Sequence, residues 1–219
     1  MRKLVLSIGL LCLSGCAVTG SREATTVAYD FGPSVDGLQH TAAGPRLSST
    51  IVLEGVTAPA WMDNSGMYYR LAYQNPATPQ RYAESRWVMS PAALLTARLR
   101  ASIAHGREGI FVPPGNDASH EYSLAIELDE FDQIFDQADR SRVLVAARAT
   151  LRGSDRSRRE RVFVIERPAP TPDAAGGARA LTQATDELVS RIIDWAGGAQ
   201  SDAPLEQAAS MRPTAAKVR

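Results

Sequence analysis

Three successive segments in the second half of the chain alternate between apolar and polar residues, and this pattern constrains the fold more than any other. The alternation runs over residues 121–129, 142–151 and 161–167. A period of two is typical of strands that bury one face, and the connections are short enough for antiparallel hairpins. Phe131 and Phe135 continue the first segment with a changed phase, which predicts a bulge near Glu130. The sequence therefore predicts a three-stranded meander.

The first half of the chain contains shorter stretches that favour strands. β-branched, aliphatic and aromatic residues predict three of them, over residues 25–31, 47–56 and 67–73. Glycine and proline concentrate between them, so we expect loops over residues 34–46 and 74–81.

A first helix is predicted directly after these strands. Ser90 is a good N-cap, and Pro91 suits the first helical position. Leu95, Leu99 and Ile103 then recur every four residues, which gives one apolar stripe. We expect this helix to end near residues 105–106.

A second helix is predicted over residues 178–196, after a linker of proline, glycine and alanine over 168–177. Its apolar residues fall three or four positions apart, and Gly197 and Gly198 are expected to end it. Residues 198–219 are small and polar without a period, which predicts a disordered tail. Two amphipathic helices and one-sided strands together predict an α+β fold, an antiparallel sheet with both helices on one face.

The N-terminus reads as a bacterial lipoprotein signal over residues 1–15. Arg2 and Lys3 precede a short apolar run, which ends at Leu13-Ser14-Gly15-Cys16. An ordinary signal peptide with a chance cysteine and an uncleaved anchor helix are the alternatives. The anchor is disfavoured because the run is about half of the roughly 20 apolar residues that span a bilayer.

The lipobox interpretation gives Cys16 a covalent diacylglycerol on sulfur and an acyl chain on its new amine, and we expect no other cofactor. Several acyl chains make stable anchoring. Ala17, where an aspartate would favour retention at the inner membrane, resembles the outer-membrane sorting rule. Residues 16–24 are then a tether, and residues 25–197 form one domain.

Composition excludes several functional classes. The chain has 24 basic and 24 acidic residues, and loss of Arg2 and Lys3 leaves a charge of −2, so nothing suggests nucleic-acid binding. The two cysteines, Cys12 and Cys16, leave no thiol for a disulfide or a metal site in the mature domain. The three histidines, at 40, 105 and 120, are too far apart for a metal motif. No phosphate-binding loop and no catalytic constellation is recognisable.

Seven features occur in an order that resembles a known family. They are the lipobox at Cys16, a strand around Ile51-Val52-Leu53, the turn Ala60-Trp61-Met62-Asp63, Tyr69-Arg70, Arg86-Trp87 before the first helix, Leu128-Asp129-Glu130-Phe131, and the helix over 181–195. Over residues 25–197 this order resembles the ABC-type transport auxiliary lipoprotein family.

The resemblance implies a non-enzymatic periplasmic domain anchored to the outer membrane. Its partners would be a mammalian-cell-entry-domain protein and the inner-membrane transporter of that protein, and the cargo lipids or other hydrophobic molecules. Some relatives resemble ring-forming homo-oligomers. A structural or assembly lipoprotein that binds outer-membrane or cell-wall components is the alternative, and a hydrolase is a weaker one.

Two groups of residues are candidates for contacts. Trp61, Tyr69, Arg86 and Trp87 are predicted at a partner interface, although aromatic residues so clustered are more often core. Arginines crowd the last predicted hairpin, where Arg156, Arg158 and Arg159 are candidates for an anionic contact. A solvated turn is the favoured alternative there. Glu127 and Asp129 share a strand face, which more simply indicates a solvated face than a catalytic pair.

Overall fold

The computed structural model describes residues 25–33, 51–106, 111–112 and 121–210, and side chains within them except for 104–106, 111–112 and 199–210. The elements are β1 (Val27–Tyr29), β2 (Ile51–Thr57), β3 (Gly66–Leu71), β4 (Asn75–Trp87), α1 (Pro91–Gly106), β5 (Phe111–Val112), β6 (Tyr122–Gln137), β7 (Arg140–Gly153), β8 (Arg158–Pro168) and α2 (Ala174–Ser210). The lipobox, the predicted loop over 34–46 and residues 211–219 lie outside the described residues.

The predicted α+β fold is confirmed, and the sheet is mostly antiparallel but partly parallel. In the described ranges its eight strands follow the order β1-β4-β3-β6-β2-β5, with β7 and β8 continuing from β6. The parallel pairs are β1 with β4, β2 with β5, and both β2 and β3 with β6. β2 and β3 pair with successive segments of the same edge of β6. Because both are parallel to β6, they run in the same direction. The sequence prediction missed these long-range parallel pairings.

The predicted meander is confirmed as β6, β7 and β8, which pair antiparallel. The predicted bulge is also confirmed, because the register of β6 against β7 shifts between Leu128 and Glu130. β7 and β8 pair without a register shift from Arg142↔Pro168 to Arg152↔Arg158.

The loop predicted over 74–81 is wrong from residue 75 onward, because Asn75–Trp87 forms β4. Pro76 and Pro79 suggested a loop, since proline cannot donate to a strand ladder. β1 pairs only with the last three residues of β4, so the prolines lie where no described strand pairs with that edge of β4. Proline is tolerated on such an edge.

The first helix is confirmed from its cap to its end. The Ser90 hydroxyl accepts from the N–H of Ala93 at 3.4 Å, and α1 ends at Gly106. Leu95 and Leu99 are fully buried in the core. The apolar stripe therefore lies against β2 and α2, as its period predicts.

The second helix is longer than predicted at both ends. It begins at Ala174, because Asp173 caps it by accepting from the Gly176 N–H at 2.7 Å. The predicted linker is therefore wrong from residue 174. Helix α2 also continues beyond Gly197 and Gly198 to Ser210, so the predicted end of the helix is wrong.

Gly177, early in α2, allows the helix to pack closely against the sheet and does not interrupt the helix. A Cβ at Gly177 would lie 2.0 Å from Oε1 of the buried Gln133 on β6. Only a residue without a side chain allows the helix to approach the sheet this closely.

One hydrophobic cluster joins both helices to one face of the sheet. Val143, Val145 and Ala147 of β7 are fully buried in it, beside Leu188 and Ile192 of α2. The β7 side chains between these buried positions point to the opposite face of the sheet. No described helix covers that face, and it is called the open face below. No helix within the described ranges is long and apolar enough to cross a bilayer.

Candidate partner-docking surface

A rigid turn between β2 and β3 presents Trp61 to solvent. The N–H groups of Met62 and Asp63 both donate to the carbonyl of Pro59, at 2.9 and 3.0 Å. The Asn64 side chain donates to the Trp61 carbonyl at 2.7 Å, and Met62 is fully buried beneath the turn. Trp61 itself is 39% exposed. The turn thus holds a large aromatic ring at the surface without burying it.

Arg70 lies beside this tryptophan and joins it to β6. Its guanidinium carbon is 5.8 Å from the centre of the Trp61 ring. Its Nε donates to Oδ2 of Asp132 at 2.5 Å, and its Nη2 lies 3.6 Å from Oε2 of Glu130. Its Nη1 donates to the carbonyl of Pro76 at 3.2 Å. Trp61, Arg70, Glu130 and Asp132 are called the Arg70 cluster below.

Asp132 is the unusual member of the Arg70 cluster, because it is fully buried. Burial raises the pKa of this carboxyl above its ordinary value, and the hydrogen bond and charge of Arg70 act in the opposite direction. Its Oδ1 accepts no hydrogen bond from any of the described residues. Burial, then the charge of Asp132, also raises the pKa of Glu130. One guanidinium therefore holds two carboxylates that would otherwise repel each other.

The sequence interpretation did not single out this cluster as a site. Glu130 and Asp132 fall two positions apart in the half of β6 that also carries Phe131, Ile134 and Phe135. Acidic residues inside such an apolar stretch were the available signal. The partner arginine is 62 positions away, which only the β3–β6 pairing reveals.

The structure separates the four predicted interface residues. Trp61 and Arg86 are exposed. Gly66 and Tyr68 flank the buried Met67 on β3, so both lie on the open face. Arg86 pairs in register with Gly66 and therefore lies on the open face too. Tyr69 is half-buried on the opposite face, and its hydroxyl donates to Gln80 at 2.9 Å.

Trp87 is not at the surface, so its assignment to an interface is wrong for this fold. It is 1% exposed, and its ring packs edge-on against Tyr29, Phe31 and Phe131, with centroids 5.6–6.5 Å away. Successive side chains on a strand point to opposite faces, so Arg86 and Trp87 cannot act together on one surface.

The predicted anionic contact is likewise divided. Arg156 lies in the β7–β8 turn with φ of 71°, and Arg158 pairs with Glu160 at 2.7 Å on the open face. Arg159 alternates with Arg158 and lies on the side of the helices. Of the other hairpin arginines, Arg152 pairs with Glu54 at 3.1 Å. The three arginines predicted to form an anionic contact, Arg156, Arg158 and Arg159, therefore do not converge on one surface.

Glu127 and Asp129 form no catalytic pair in this arrangement. Glu127 is exposed and lies 3.9 Å from Arg148, whereas Asp129 occupies the bulge of β6. Among the described residues, no group of three or more histidine, cysteine, aspartate or glutamate side chains could hold a metal ion. The lipidation candidate Cys16 lies outside the described residues.

Comparison with known proteins places this fold. Residues 29–193 match the family model of the ABC-type transport auxiliary lipoprotein component. A crystal structure of a Xanthomonas campestris protein superposes with a TM-score of 0.64 at 22% identity, and the match covers 74% of this chain and 92% of that one. A second crystal structure, of an uncharacterized protein, gives 0.57 at 14% identity, covering 77% and 96%. No curated protein matches the sequence. Because the family match extends over most of its length, the chain belongs to the ABC-type transport auxiliary lipoprotein family.

Proposed function

We propose that this chain is a non-enzymatic accessory lipoprotein that docks a partner of an envelope ABC-type transport system at the outer membrane. The family match over residues 29–193 carries the proposal. The partner is a mammalian-cell-entry-domain protein with its inner-membrane transporter, and the cargo is a lipid or another hydrophobic molecule. Acyl chains on Cys16 hold the domain on the periplasmic side of that membrane.

The anchor sets how far the domain reaches from the membrane. Eight residues, 17–24, separate Cys16 from the described domain, which makes nine steps along the chain from residue 16 to residue 25. A fully extended chain spans at most about 3.3–3.6 Å per residue, so the tether reaches about 30 Å. A partner that bridges the periplasm would therefore meet the domain within about 30 Å of the membrane surface.

Two features of the described fold support docking. The helices cover one face of the sheet, whereas the open face carries exposed Trp61 and Arg86. Tryptophan and arginine are the residues that most often contribute binding energy at protein interfaces. The Arg70 guanidinium packs against the Trp61 ring, so the ring is already ordered before a partner binds.

An affinity pull-down from cross-linked cells tests the proposal. The full-length chain carries a C-terminal tag, and mass spectrometry identifies the proteins recovered. We expect a mammalian-cell-entry subunit, and we expect Trp61→Ala with Arg86→Glu to reduce its yield. Arg100→Glu is the matched control, because Arg100 is an exposed arginine on α1.

Two outcomes would contradict the proposal. Recovery of outer-membrane assembly or cell-wall proteins alone would replace the transport role with the structural alternative. If a Cys16→Ala variant that fractionates away from membranes still recovers as much of the partner, docking does not need the anchor.

A further inference from the structure

The last strand of the meander leaves one edge unpaired. β8 pairs with β7 along its whole length, and no other described strand pairs with it. It is eleven residues long and has no register shift. A regular edge strand offers a row of backbone donors and acceptors to another extended chain.

The hydrogen-bond pattern of the hairpin identifies which backbone groups point outward. Gly153 N–H donates to Ser157 at 2.9 Å, and Ala169 N–H donates to Ser141 at 2.9 Å. Hydrogen-bonded and non-hydrogen-bonded pairs alternate in an antiparallel ladder, so the odd-numbered residues of β8 face β7. The even-numbered residues direct their N–H and C=O groups to the free edge, at Arg158, Glu160, Val162, Val164 and Glu166.

Charged residues at the start of this edge, and Glu166 and Pro168 at its end, hinder pairing with another strand. The middle of the edge has no such residue. Val162 and Val164 are each 53% exposed, side by side on the open face. Native edges are usually blunted by charges, prolines or bulges, and the stretch from 162 to 165 has none. This apolar centre fits β-branched or other apolar side chains of an added strand.

A groove of about 820 Å³ lies on the other side of the same strand, between β8 and α2. Among the described residues that line it, Arg159, Arg161 and Arg191 are the cations and Asp194 is the acid, and Arg191 also pairs with Glu187 at 2.5 Å. Apolar surface lies between them, where the Trp195 ring packs edge-on against Phe163 at 6.0 Å. An added strand would direct every second side chain into this cationic groove.

The charge of the groove selects among occupants. A second copy paired through the same edge on the same face would bring its own Arg159 and Arg161 into the groove, where like charges oppose pairing. An anionic lipid headgroup would be complementary in charge to the arginines but would leave the alternating backbone donors and acceptors of β8 unused. An acidic peptide strand matches both.

We propose that the free edge of β8 and the groove beside it bind an extended segment of a partner protein, acidic at every second residue and apolar at the residues between. This inference rests on the proposed docking function, since it adds a second contact surface to the open face and names the chemistry of the partner segment that fits it. The backbone of the segment adds a ninth strand to the sheet. Its carboxylates face the groove, and its apolar side chains cover Val162 and Val164.

Fluorescence anisotropy with labelled peptides tests the inference on the full-length chain in detergent. The probe is an eight-residue capped peptide of alternating glutamate and valine, and the control peptide carries lysine in place of glutamate. We expect saturable binding of the acidic peptide only. Raising the salt concentration should weaken it, because charge attraction contributes.

Two pairs of variants separate the backbone contribution from the charge contribution. Val162→Pro removes one outward N–H, and we expect binding to weaken about tenfold, whereas Val162→Thr keeps the N–H and the branched shape. Arg161→Glu reverses a charge in the groove and should weaken binding at least about tenfold. Arg158→Glu, on the same strand but facing the open side, is its control. Circular dichroism melting checks that each variant folds.

Four results would overturn the inference. They are equal binding of the lysine peptide, unchanged binding to folded Val162→Pro and Arg161→Glu, displacement of the peptide by phosphatidylglycerol vesicles but not phosphatidylcholine vesicles, and a concentration-dependent dimer that Val162→Pro abolishes. The vesicle result would assign the groove to lipid, and the dimer result to a second copy. If the cell pull-down still recovers a transport subunit with Arg161→Glu, docking stands and uses another surface.

Discussion

Removing either partner of the buried Arg70–Asp132 pair should have unequal consequences, because the two partners have unequal alternatives. Without Asp132, Arg70 keeps Glu130, the Pro76 carbonyl and the Trp61 ring. Without Arg70, Asp132 keeps no described partner, since its Oδ1 has none already and its side chain is 1% exposed. The structure therefore predicts that Arg70→Met is much more damaging than Asp132→Asn.

The magnitudes follow from these contacts. Breaking a buried ion pair by removing the cation costs about 3–5 kcal/mol of the free energy of unfolding. Asp132→Asn replaces the carboxylate acceptor with an amide oxygen, so the hydrogen bond from Arg70 carries one charge instead of two, which costs about 1 kcal/mol. In the double variant the Arg70 change should cost at least about 2 kcal/mol less than it does alone, since no buried charge is then left unpaired.

Urea denaturation of the four proteins, followed by circular dichroism, measures these differences when the m-values agree. The pH dependence provides a second test. Loss of Arg70 raises the Asp132 pKa further, so the folded variant binds more protons than the unfolded chain above the ordinary value of 3.8. The stability of Arg70→Met should thus fall as the pH rises above 3.8. Equal costs for the two single variants, or no such pH effect, would refute the reasoning.

Three further substitutions test the packing of α2 and the core. Gly177→Ala should cost about 1–3 kcal/mol, because its Cβ would overlap the Gln133 side chain, and Gly198→Ala, with open space around it, is the control in the same melting experiment. Asp173→Ala should cost about 1 kcal/mol at pH 7 and progressively less as the pH falls below 3.8, because backbone and side-chain hydrogen bonds lower the Asp173 pKa and the cap weakens as the carboxylate is protonated; a cost that does not decrease in acid would contradict this. Trp87→Ala should cost about 3–5 kcal/mol in urea, since the ring is the centre of an aromatic cluster, whereas Trp61→Ala at the surface should cost less than about 1 kcal/mol; similar values for both would contradict the assigned burial.

Local pattern predicted the elements whose partners are close in the chain. The period of two predicted the meander, and the Ser90 cap with its apolar stripe predicted α1. The prediction was wrong where a proline or glycine is explained by the position of the segment in the folded sheet and not by its neighbours in sequence. Pro76 and Pro79 lie on an unpaired edge, and Gly177 makes room for Gln133, 44 positions earlier in the chain.

The candidate sites divide in the same way. The sequence alone identified Trp61, Arg86 and the arginine-rich hairpin as unusual, because their composition is visible in a single stretch. It could not assign their faces, since one bulge or one shifted register reverses which side chains point to solvent. Trp87 is core and Arg86 is surface for this reason.

The sequence by itself determined the α+β class, the antiparallel meander, the first helix and the family resemblance that the family match confirms. Each depends on periodicity or on residue order, which neighbouring residues are enough to establish. Only the tertiary structure decided that Arg70 meets Asp132, that the helices leave one face of the sheet open, and that β8 is an edge strand. Those features depend on which strands pair at long range, and pairing is set by burial of the whole apolar surface at once.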